Sequence, residues 1–218
     1  MKSRISKLAS AWDNEYLSNE LGLIYEPLWR TVSDCLLSVS TGQIIDFGCG
    51  DGRYSFLLND MGFDVIGIDL SSKAIKLAEK IQNERSIEGI QFTVNDGISN
   101  QILDNSINAV VMLNTYHCLT SSLRKIVMNS VSRVLTQQGL LILSALTLED
   151  ESYPRNKWIE IASNTYNDRT GKLFHFFSKD ELVSELHSFK ITSIEKLENI
   201  VPSVGKKSSL YVVFAMKK

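Results

Sequence analysis

The sequence predicts an α/β fold in which a mostly parallel sheet is covered by helices on both faces. Five short runs rich in Val, Ile and Leu alternate with segments of helical length and spacing. Such runs are typical of strands buried on both faces, and their alternation with helices predicts right-handed crossovers between parallel strands. Two further β-rich runs, 190–200 and 209–218, flank a turn and predict an antiparallel hairpin at one edge of the sheet.

The five predicted core strands are QIIDF (43–47), FDVIGID (63–69), GIQFTVN (89–95), INAVVMLN (107–114) and GLLILSAL (139–146). Helices are predicted between them over 53–61, 71–84 and 121–138, and the last stops before Gly139, as it would at a C-cap glycine. Two helices precede the first strand. The first is amphipathic and carries apolar residues at helical spacing, and the second covers 23–39.

Beyond Leu146 the alternation of strands and helices stops. Residues 147–171 are polar with scattered aromatic residues, and we expect a long, partly helical insertion there. Residues 172–177 (KLFHFF) are expected to be extended. Ser178 and Glu181 form an S-x-x-E capping box, which predicts a helix from that point to about His187.

The composition limits the partners that the chain can have. Its 218 residues carry a formal net charge of -2 and give a sequence pI of about 6.0, so no global positive field attracts a nucleic acid. No apolar run approaches the roughly 20 residues of a membrane span, and we expect no membrane partner. The three cysteines are far apart, which predicts neither a disulfide framework nor a metal site and favours a cytoplasmic location; they are Cys35, Cys49 and Cys118.

The stretch IIDFGCGDG (44–52) places a glycine-rich turn directly after the first predicted strand. Ligands of open parallel sheets bind at the carboxyl ends of the strands, and glycine lets the main chain adopt positive φ and approach a ligand closely. The dinucleotide motif G-x-G-x-x-G requires a third glycine where this chain has Arg53, and the lysine of a phosphate-binding P-loop does not follow the turn. The turn therefore indicates a nucleotide-like ligand of another kind.

Acidic residues end the next two predicted strands. Asp69 lies in VIGIDLS and Asp96 in FTVNDG, at the same sheet edge as the glycine turn. A carboxylate after the second strand can accept hydrogen bonds from both hydroxyl groups of a ribose, and one after the third can face an adenine. Taken singly, each acid is as well explained as a helix N-cap or a solvated loop carboxylate. Together with the turn, they predict an adenosine site across three strand ends.

The combination of DFGCGDG, GIDLS and NDG, over about residues 40–146, resembles the class I S-adenosylmethionine-dependent methyltransferases. The resemblance implies a Rossmann-like seven-stranded fold with S-adenosylmethionine as its cofactor. It also implies that the glycine turn lines the methionine end, that the second strand end binds the ribose, that the third faces the adenine, and that the fourth flanks the sulfonium. The residues at the methionine end are Asp46, Gly48, Cys49 and Gly50, and those at the ribose are Asp69 and Leu70. Asp96 and Gly97 are the residues at the adenine, and Asn114 is the residue beside the sulfonium.

Methyl transfer from a sulfonium requires alignment and exclusion of water more than it requires a nucleophilic side chain. His117, in NTYHCL after the fourth strand, is the candidate catalytic base, and Tyr116 beside it is a candidate for orienting the acceptor. The alternative for His117 is a helix cap or a packing residue. In the N-terminal helix Trp12 and Tyr16 lie four residues apart, and a looser resemblance to the family implies that they cover the cofactor; ordinary packing is the alternative.

We expect one domain over 1–218, with an N-terminal helical cap (1–40), a cofactor-binding core (41–146), an acceptor lid (147–189) and a C-terminal β-hairpin (190–218). Aromatic and polar lid residues are expected near the acceptor, and they favour a small, partly apolar or cationic molecule. These residues are Tyr153, Trp158, Asn164, Thr165, Tyr166, Phe174, His175 and Phe176. The stretch KLFHFFSKDELVSEL, followed by FKITSIEKLE, diffusely resembles the tail of small bacterial methyltransferases, including the tellurite- and thiopurine-type enzymes.

The sequence thus predicts an S-adenosylmethionine-dependent methyltransferase that acts on a small-molecule acceptor by in-line displacement. Two alternatives remain open at this point. One is an RNA- or protein-directed methyltransferase, which would need a local basic patch. The other is a non-catalytic protein that binds S-adenosylmethionine. The sequence is compatible with a monomer or a homodimer.

Overall fold

The computed structural model describes residues 2–14, 16, 24–39, 42–96 and 102–218, without the side chains of residues 2–5. The helices are α1 (Lys2–Asp13), α2 (Glu26–Leu36), α3 (Arg53–Asp60), α4 (Ser72–Glu84), α5 (Ser121–Val134) and α6 (Lys179–Glu185). The strands are β1 (Gln43–Phe47), β2 (Asp64–Asp69), β3 (Ile90–Val94), β4 (Ile107–Met112), β5 (Leu135–Leu146), β6 (Ile159–Ala162), β7 (Thr165–Asn167), β8 (Leu173–His175), β9 (Phe189–Val201) and β10 (Lys206–Lys217). Among the described residues, no helix combines the length and apolarity that crossing a membrane requires.

Seven of the strands form one sheet in the order β3-β2-β1-β4-β5-β10-β9. Neighbours from β3 to β5 are parallel, whereas β10 is antiparallel to both β5 and β9. The predicted fold class and the C-terminal hairpin at the sheet edge are therefore confirmed. The winding direction reverses between β1 and β4, which places a crevice between the loops that follow these two strands.

Hydrophobic cores on both faces of the sheet explain the continuous apolar runs of its strands. Along β4, Ala109 and Val111 pack into one core with α2, α3 and α4, while Val110 and Met112 pack into the other with α5 and α6. All four side chains are fully buried. Successive residues of a strand face opposite sides of the sheet. A strand between two cores therefore lacks the alternation of polar and apolar residues that a half-exposed strand shows.

The end of α5 differs from the prediction. The helix stops at Val134 and β5 begins at Leu135, so Gly139 lies inside the strand and does not cap the helix. Leu135 is fully buried and pairs with Ile107, and Ala109 pairs with Leu140, so extra residues are accommodated between these two pairs. Sheet pairing thus ends the helix several residues earlier than its sequence pattern indicates.

Residues 147–171 are also built differently from the prediction, because they form strands where a partly helical insertion is expected. Their one described helical turn is a 3-10 turn at Arg155–Lys157, and β6, β7 and β8 pair as a three-stranded antiparallel sheet. The predicted cap of the next helix is present, since the Ser178 hydroxyl accepts a hydrogen bond from the Glu181 amide at 3.1 Å.

A buried ion pair joins α5 to α6 beneath the loop that follows β4. Arg124, whose side chain is 3% exposed, donates two hydrogen bonds of 2.7 Å to the Glu185 carboxylate and one of 2.9 Å to the Leu119 carbonyl. Burial raises the pKa of Glu185, but hydrogen bonds from Arg124 and Tyr116 outweigh it, and the pKa lies below its ordinary value. The pair holds the loop after β4 at two points, because Glu185 accepts a hydrogen bond from Tyr116 and Arg124 donates one to Leu119.

We predict that Arg124→Leu lowers the free energy of unfolding by about 3 kcal/mol, because it leaves a partly buried carboxylate without its partner. Urea unfolding at neutral pH measures this loss. Because the folded-state pKa of Glu185 is lowered, its stabilisation is present at neutral pH and is lost as the pH falls below the ordinary carboxyl range.

The matched control is Lys80→Leu, which removes an exposed pair with Glu84 at 3.8 Å on α4. Such pairs contribute at most about 1 kcal/mol. Equal losses in the two variants would contradict a structural role for the buried pair.

Candidate active site

A cavity of about 750 Å³ opens in the crevice between the loops after β1 and β4. Its walls come from four regions: α1 with residues 16, 24 and 25, the carboxyl ends of β1 to β5 with the residues that follow them, residues 152 and 153 with β8, and the β9–β10 hairpin. Its volume lies within the range of about 300–1,000 Å³ that is common for ligand pockets. The topology thus places the cavity where open α/β sheets bind ligands.

The glycine turn presents its main chain to this cavity. Gly48 and Gly50 have φ of 74° and 57°, and the amides of Gly48 and Cys49 both donate to the Ile68 carbonyl, at 2.7 and 3.0 Å. A Cβ at Gly48 would lie 2.2 Å from Thr115 Oγ1, and one at Gly50 would lie 2.4 Å from the Tyr16 hydroxyl. Both positions therefore favour glycine for conformation, and Gly48 also requires it for space, because its Cβ would meet three atoms of the short Thr115 side chain.

The acids of the second and third strand ends reach the same cavity. Asp69 Oδ2 accepts a hydrogen bond from the Gly50 amide at 2.9 Å, and its Oδ1 accepts one from the Ser71 amide at 2.8 Å. Burial raises the pKa of Asp69 in spite of these bonds. Leu70 and Asp96 line the cavity beside it. Gly97, which the resemblance places at the adenine, lies outside the described residues.

Asp46 does not line the cavity, unlike the other described cofactor positions that the sequence predicts. Its side chain is 2% exposed and accepts a hydrogen bond of 2.6 Å from the Ser55 hydroxyl of α3. Burial raises its pKa to about 7. The contact of this carboxylate with the methionine end stays a prediction, and the structure does not bring Asp46 to the cavity surface. Asp46 lies behind the turn and connects it to α3.

Asp51 and Arg53 brace the turn, a role that is not among the sequence-based predictions. Asp51 is 1% exposed, and its two carboxylate oxygens accept hydrogen bonds from Arg53 Nε and Nη2, each at 2.8 Å. Arg53 also lines the cavity. The sequence signal for this role is an acid two residues before an arginine, which is too common a pattern to indicate a brace by itself.

The loop after β4 forms the opposite wall. Asn114 has φ of 56°, and its amide donates to the buried Ser144 hydroxyl at 2.8 Å. His117 lines the cavity, is 2% exposed, and stacks on Phe174 with ring centroids 6.2 Å apart. In the described part of the chain, His117 Nδ1 is the buried side-chain polar atom that has no hydrogen-bond partner. Burial lowers the pKa of His117 to about 3, so its ring is neutral.

Tyr116 lies on the other side of the sheet, so its predicted role in orienting the acceptor is wrong. It is fully buried, stacks on Phe177, and donates a hydrogen bond of 2.7 Å to Glu185. Because Tyr116 and His117 are consecutive in a 3-10 turn, their side chains diverge, and one of them faces the cavity while the other anchors the turn.

Trp12 and Tyr16 both line the cavity, as expected for a helical cap over a ligand. Asp13, between them in the chain, attaches the cap to α4. Its carboxylate accepts hydrogen bonds from the Ser71 hydroxyl at 2.6 Å and from the Lys73 amide at 3.3 Å. Ser71 is itself the N-cap of α4, so α1 is held at the helix end that follows Asp69. The sequence carries no local signal for this role of Asp13, because Ser71 lies 58 residues away.

The acceptor end of the cavity is lined by fewer lid residues than predicted. Tyr153 and Phe174 reach it. Trp158 stacks on Phe174 with ring centroids 4.9 Å apart. His175 faces away and contacts Thr165 and Glu181. The other predicted lid residues, Asn164, Thr165, Tyr166 and Phe176, are not among the described lining residues.

The hairpin tip supplies a larger share of this wall than the sequence indicates. Its lining residues are Asn199, Val201, Pro202, Val204, Ser208 and Leu210. A short segment with Pro and Gly is typical of a solvent-exposed turn, so its sequence carries no signal of a ligand.

Comparisons with known proteins agree with this geometry. A family model described as a methyltransferase domain matches residues 38–201. A tRNA N(3)-cytidine methyltransferase from Gallus gallus is 25% identical over 206 residues, which are 88% of this chain and 55% of that protein. The chain therefore spans little more than half the length of that relative.

Two solved structures share the fold. A SAM-dependent methyltransferase from Methanosarcina mazei is 26% identical, with a TM-score of 0.72 over 90% of this chain and 99% of the other. The geranyl diphosphate C-methyltransferase of Streptomyces coelicolor, solved with Mg²⁺, geranyl diphosphate and S-adenosyl-L-homocysteine, is 13% identical. Its TM-score is 0.70 over 99% and 98% of the two chains.

The cavity fits the cofactor of this family. Two glycines leave a cradle that a Cβ would fill, and Asp69 and Asp96 follow at the next two strand ends. The family match covers most of the chain, and the sheet order agrees with the fold of the solved relatives. The chain therefore belongs to the methyltransferase domain family and is a class I S-adenosylmethionine-dependent methyltransferase.

Proposed function

We propose that this enzyme methylates a small molecule at an oxygen, nitrogen or soft sulfur- or selenium-type atom. The observation that carries the proposal is a cavity with two chemically different ends. A glycine cradle and two acids form one end, and a buried histidine with aromatic and aliphatic side chains forms the other. The geranyl diphosphate enzyme, which shares this fold, is a precedent for a small acceptor held together with the cofactor product.

At the cofactor end, we assign the methionine part to the main chain of Gly48, Cys49 and Gly50. Asp69 is assigned to the ribose hydroxyls, and Asp96 with Leu70 to the adenine side. Asn114 lies across the crevice from the turn, and Tyr16 reaches over Gly50. We assign the described residues of the N-terminal cap (1–40) to covering this end, and the lid (147–189) and hairpin (190–218) to enclosing the acceptor end.

When bound, S-adenosylmethionine supplies an electrophilic methyl group on a positively charged sulfur. The chain's own residues align the acceptor with that methyl group and exclude water. Alignment of this kind can contribute on the order of 7–11 kcal/mol to a reaction barrier. An aromatic wall and a helical cap over a largely buried cavity are suited to this task.

We assign to His117 the role of accepting the proton that the acceptor molecule releases. Its ring is neutral and its Nδ1 lacks a partner, so Nδ1 can accept a hydrogen bond from an acceptor hydroxyl or amine. Transfer of the methyl group would remove the positive charge from the sulfur. If the acceptor's proton moves to His117, its ring gains a positive charge, so the total charge of the site is unchanged. This compensation favours proton transfer to a group that is otherwise a weak base in a buried site.

An RNA acceptor is the second candidate, because a tRNA N(3)-cytidine methyltransferase is among the relatives. A labelled-methyl screen distinguishes the two. Protein, labelled S-adenosylmethionine and either a small-molecule extract or total RNA are combined, after calorimetry has established cofactor binding. Transfer to RNA alone would overturn the small-molecule proposal, and binding without any transfer would favour the non-catalytic alternative.

We predict that Gly48→Ala weakens cofactor binding at least about ten-fold, because its Cβ would collide with Thr115 and push the turn into the cavity. Calorimetric titration with S-adenosylhomocysteine measures the effect. The control is Gly62→Ala, where φ is 90° but nothing lies within 4 Å of the added Cβ. Both variants share a conformational cost of about 1 kcal/mol, so equal cofactor affinities would refute the cradle.

We predict that Asp13→Ala accelerates cofactor dissociation by about five-fold, the equivalent of one capping interaction of about 1 kcal/mol. The variant loses the attachment of α1 to Ser71 and Lys73, and the cap opens more often. Stopped-flow displacement of S-adenosylhomocysteine measures the rate. Asp34→Ala, on the exposed side of α2, should leave it unchanged; a similar acceleration there would point to a general charge effect.

We predict that His117→Ala lowers turnover by about 10²- to 10³-fold, with cofactor affinity nearly unchanged. The exposed His187→Ala is the matched control. Since the pKa of His117 is lowered to about 3, its protonation gives no inflection of the wild-type rate near pH 6.5. Unaltered turnover in His117→Ala, or an inflection near pH 6.5 that this variant abolishes, would contradict the assignment.

A further inference from the structure

The charged side chains of the cavity are confined to its cofactor end. Among the described lining residues, those with a formal charge at neutral pH are Arg53, Asp69 and Asp96. All three follow β1, β2 or β3, and Arg53 is already paired with Asp51 at 2.8 Å. The other end of the cavity, reached from β4, β5, the lid and the hairpin, has no charge of its own within the described lining.

Apolar side chains dominate that acceptor end. Leu113, Leu146, Phe174 and Leu210 are each between 2% and 6% exposed, and Tyr153 packs on Phe174 with ring centroids 5.0 Å apart. The polar groups that accompany them are uncharged and come from Ser152, Asn199 and Ser208. A molecule bound there exchanges water for hydrocarbon and aromatic surface.

The aromatic residues form a wall and not an open cage. The ring of Phe174 is stacked on Trp158 at 4.9 Å and on His117 at 6.2 Å. A cation bound by aromatic rings needs access to their faces, and these contacts already occupy the face of Phe174. Phe174 therefore offers flat surface more readily than a site for a cationic group.

The mouth of the cavity is apolar as well. Ile24 and Val204 line the cavity and are 40% and 52% exposed, and Pro202 of the hairpin tip also lines it. The hairpin's Lys207 points its ammonium group to Glu198 at 3.3 Å. Large apolar side chains left in contact with water around an entrance are typical of sites that take apolar ligands.

A charged acceptor would lose its hydration at this end and meet no opposite charge in the described lining. A neutral acceptor avoids that loss, and a single polar hydrogen on it can be satisfied by His117 Nδ1. We propose that the acceptor is a neutral, mainly apolar molecule with one hydroxyl or amine group, which hydrogen-bonds to His117 and is methylated. This inference rests on the proposed small-molecule function.

The transfer is balanced for such an acceptor. The acceptor's oxygen or nitrogen forms a bond to the methyl carbon, and the carbon–sulfur bond breaks with its electron pair returning to sulfur. The proton on the acceptor atom passes to His117 Nδ1. No oxidant or further co-reactant is required.

The test compares acceptors that share the reacting group and the ring and carry a neutral, an anionic or a cationic para substituent of similar size. Protein saturated with S-adenosylhomocysteine is titrated with para-ethylphenol, para-hydroxyphenylacetate and tyramine, and with the corresponding aniline series. We expect the neutral member of at least one series to bind at least about ten-fold more tightly than its charged analogues. A charged member that binds as tightly as the neutral one, or failure of both neutral members to bind, would overturn the inference.

A variant at the mouth provides a gain-of-function test that does not disturb the core. Val204→Lys, at an exposed turn position, places an ammonium group beside the entrance and should improve binding of the carboxylate analogue relative to the neutral compound by about ten-fold. Val183→Lys is the control, since Val183 is 41% exposed on α6 and does not line the cavity. Equal responses in the two variants would contradict an acceptor path past Val204.

Different results would contradict the proposed small-molecule function and the inference that the acceptor is neutral. If total RNA is methylated and no small molecule is, the proposed function itself is wrong. If small molecules are methylated but carboxylates or ammonium compounds are preferred, the proposed function stands and the inference about neutral acceptors is wrong.

Discussion

The hydrogen bonds between the glycine turn and the end of β2 are the constraint on which the cofactor end depends. The Ile68 carbonyl accepts two amides of the turn, and the Asp69 carboxylate accepts a third, so the turn cannot move independently of the neighbouring strand. These bonds hold Gly48 and Gly50 in a conformation with positive φ, in which the turn presents its main chain to the cavity. Asp69 therefore has two tasks, since the same carboxylate that stabilises the turn lines the cavity.

The two ends of the cavity are stabilised by different means. The cofactor end is fixed by backbone hydrogen bonds within the parallel sheet and by the Asp51–Arg53 pair. The acceptor end is assembled from elements far apart in the chain, and it relies on side-chain packing among Tyr153, Trp158 and Phe174. A rigid cofactor site and a packed, apolar acceptor wall suit an enzyme whose main task is alignment.

The parts of the structure that the sequence predicts are those governed by local pattern or by sheet topology. Strand β1 matches its predicted bounds, and Asp69 and Asp96 meet at one rim because parallel strands end at the same edge. Long-range contacts decide the rest. Gly139 fails to cap α5 because Leu135 already pairs with Ile107, and Tyr116 faces away from the cavity because Glu185 and Phe177 hold it. The contact of Asp13 with Ser71 likewise has no local signature.

The hairpin tip extends beyond the rest of the sheet. Strand β10 pairs with β5 from Leu210 to Met216, whereas its first residues, from Lys206 to Ser209, pair with β9 and hydrogen-bond on their other side to residues 147–151, which are not part of the sheet. Residues inserted into or deleted from the tip would reshape the acceptor wall while leaving every pairing of the parallel strands intact. Such an arrangement allows the choice of acceptor to diverge rapidly during evolution while the cofactor chemistry is inherited without change.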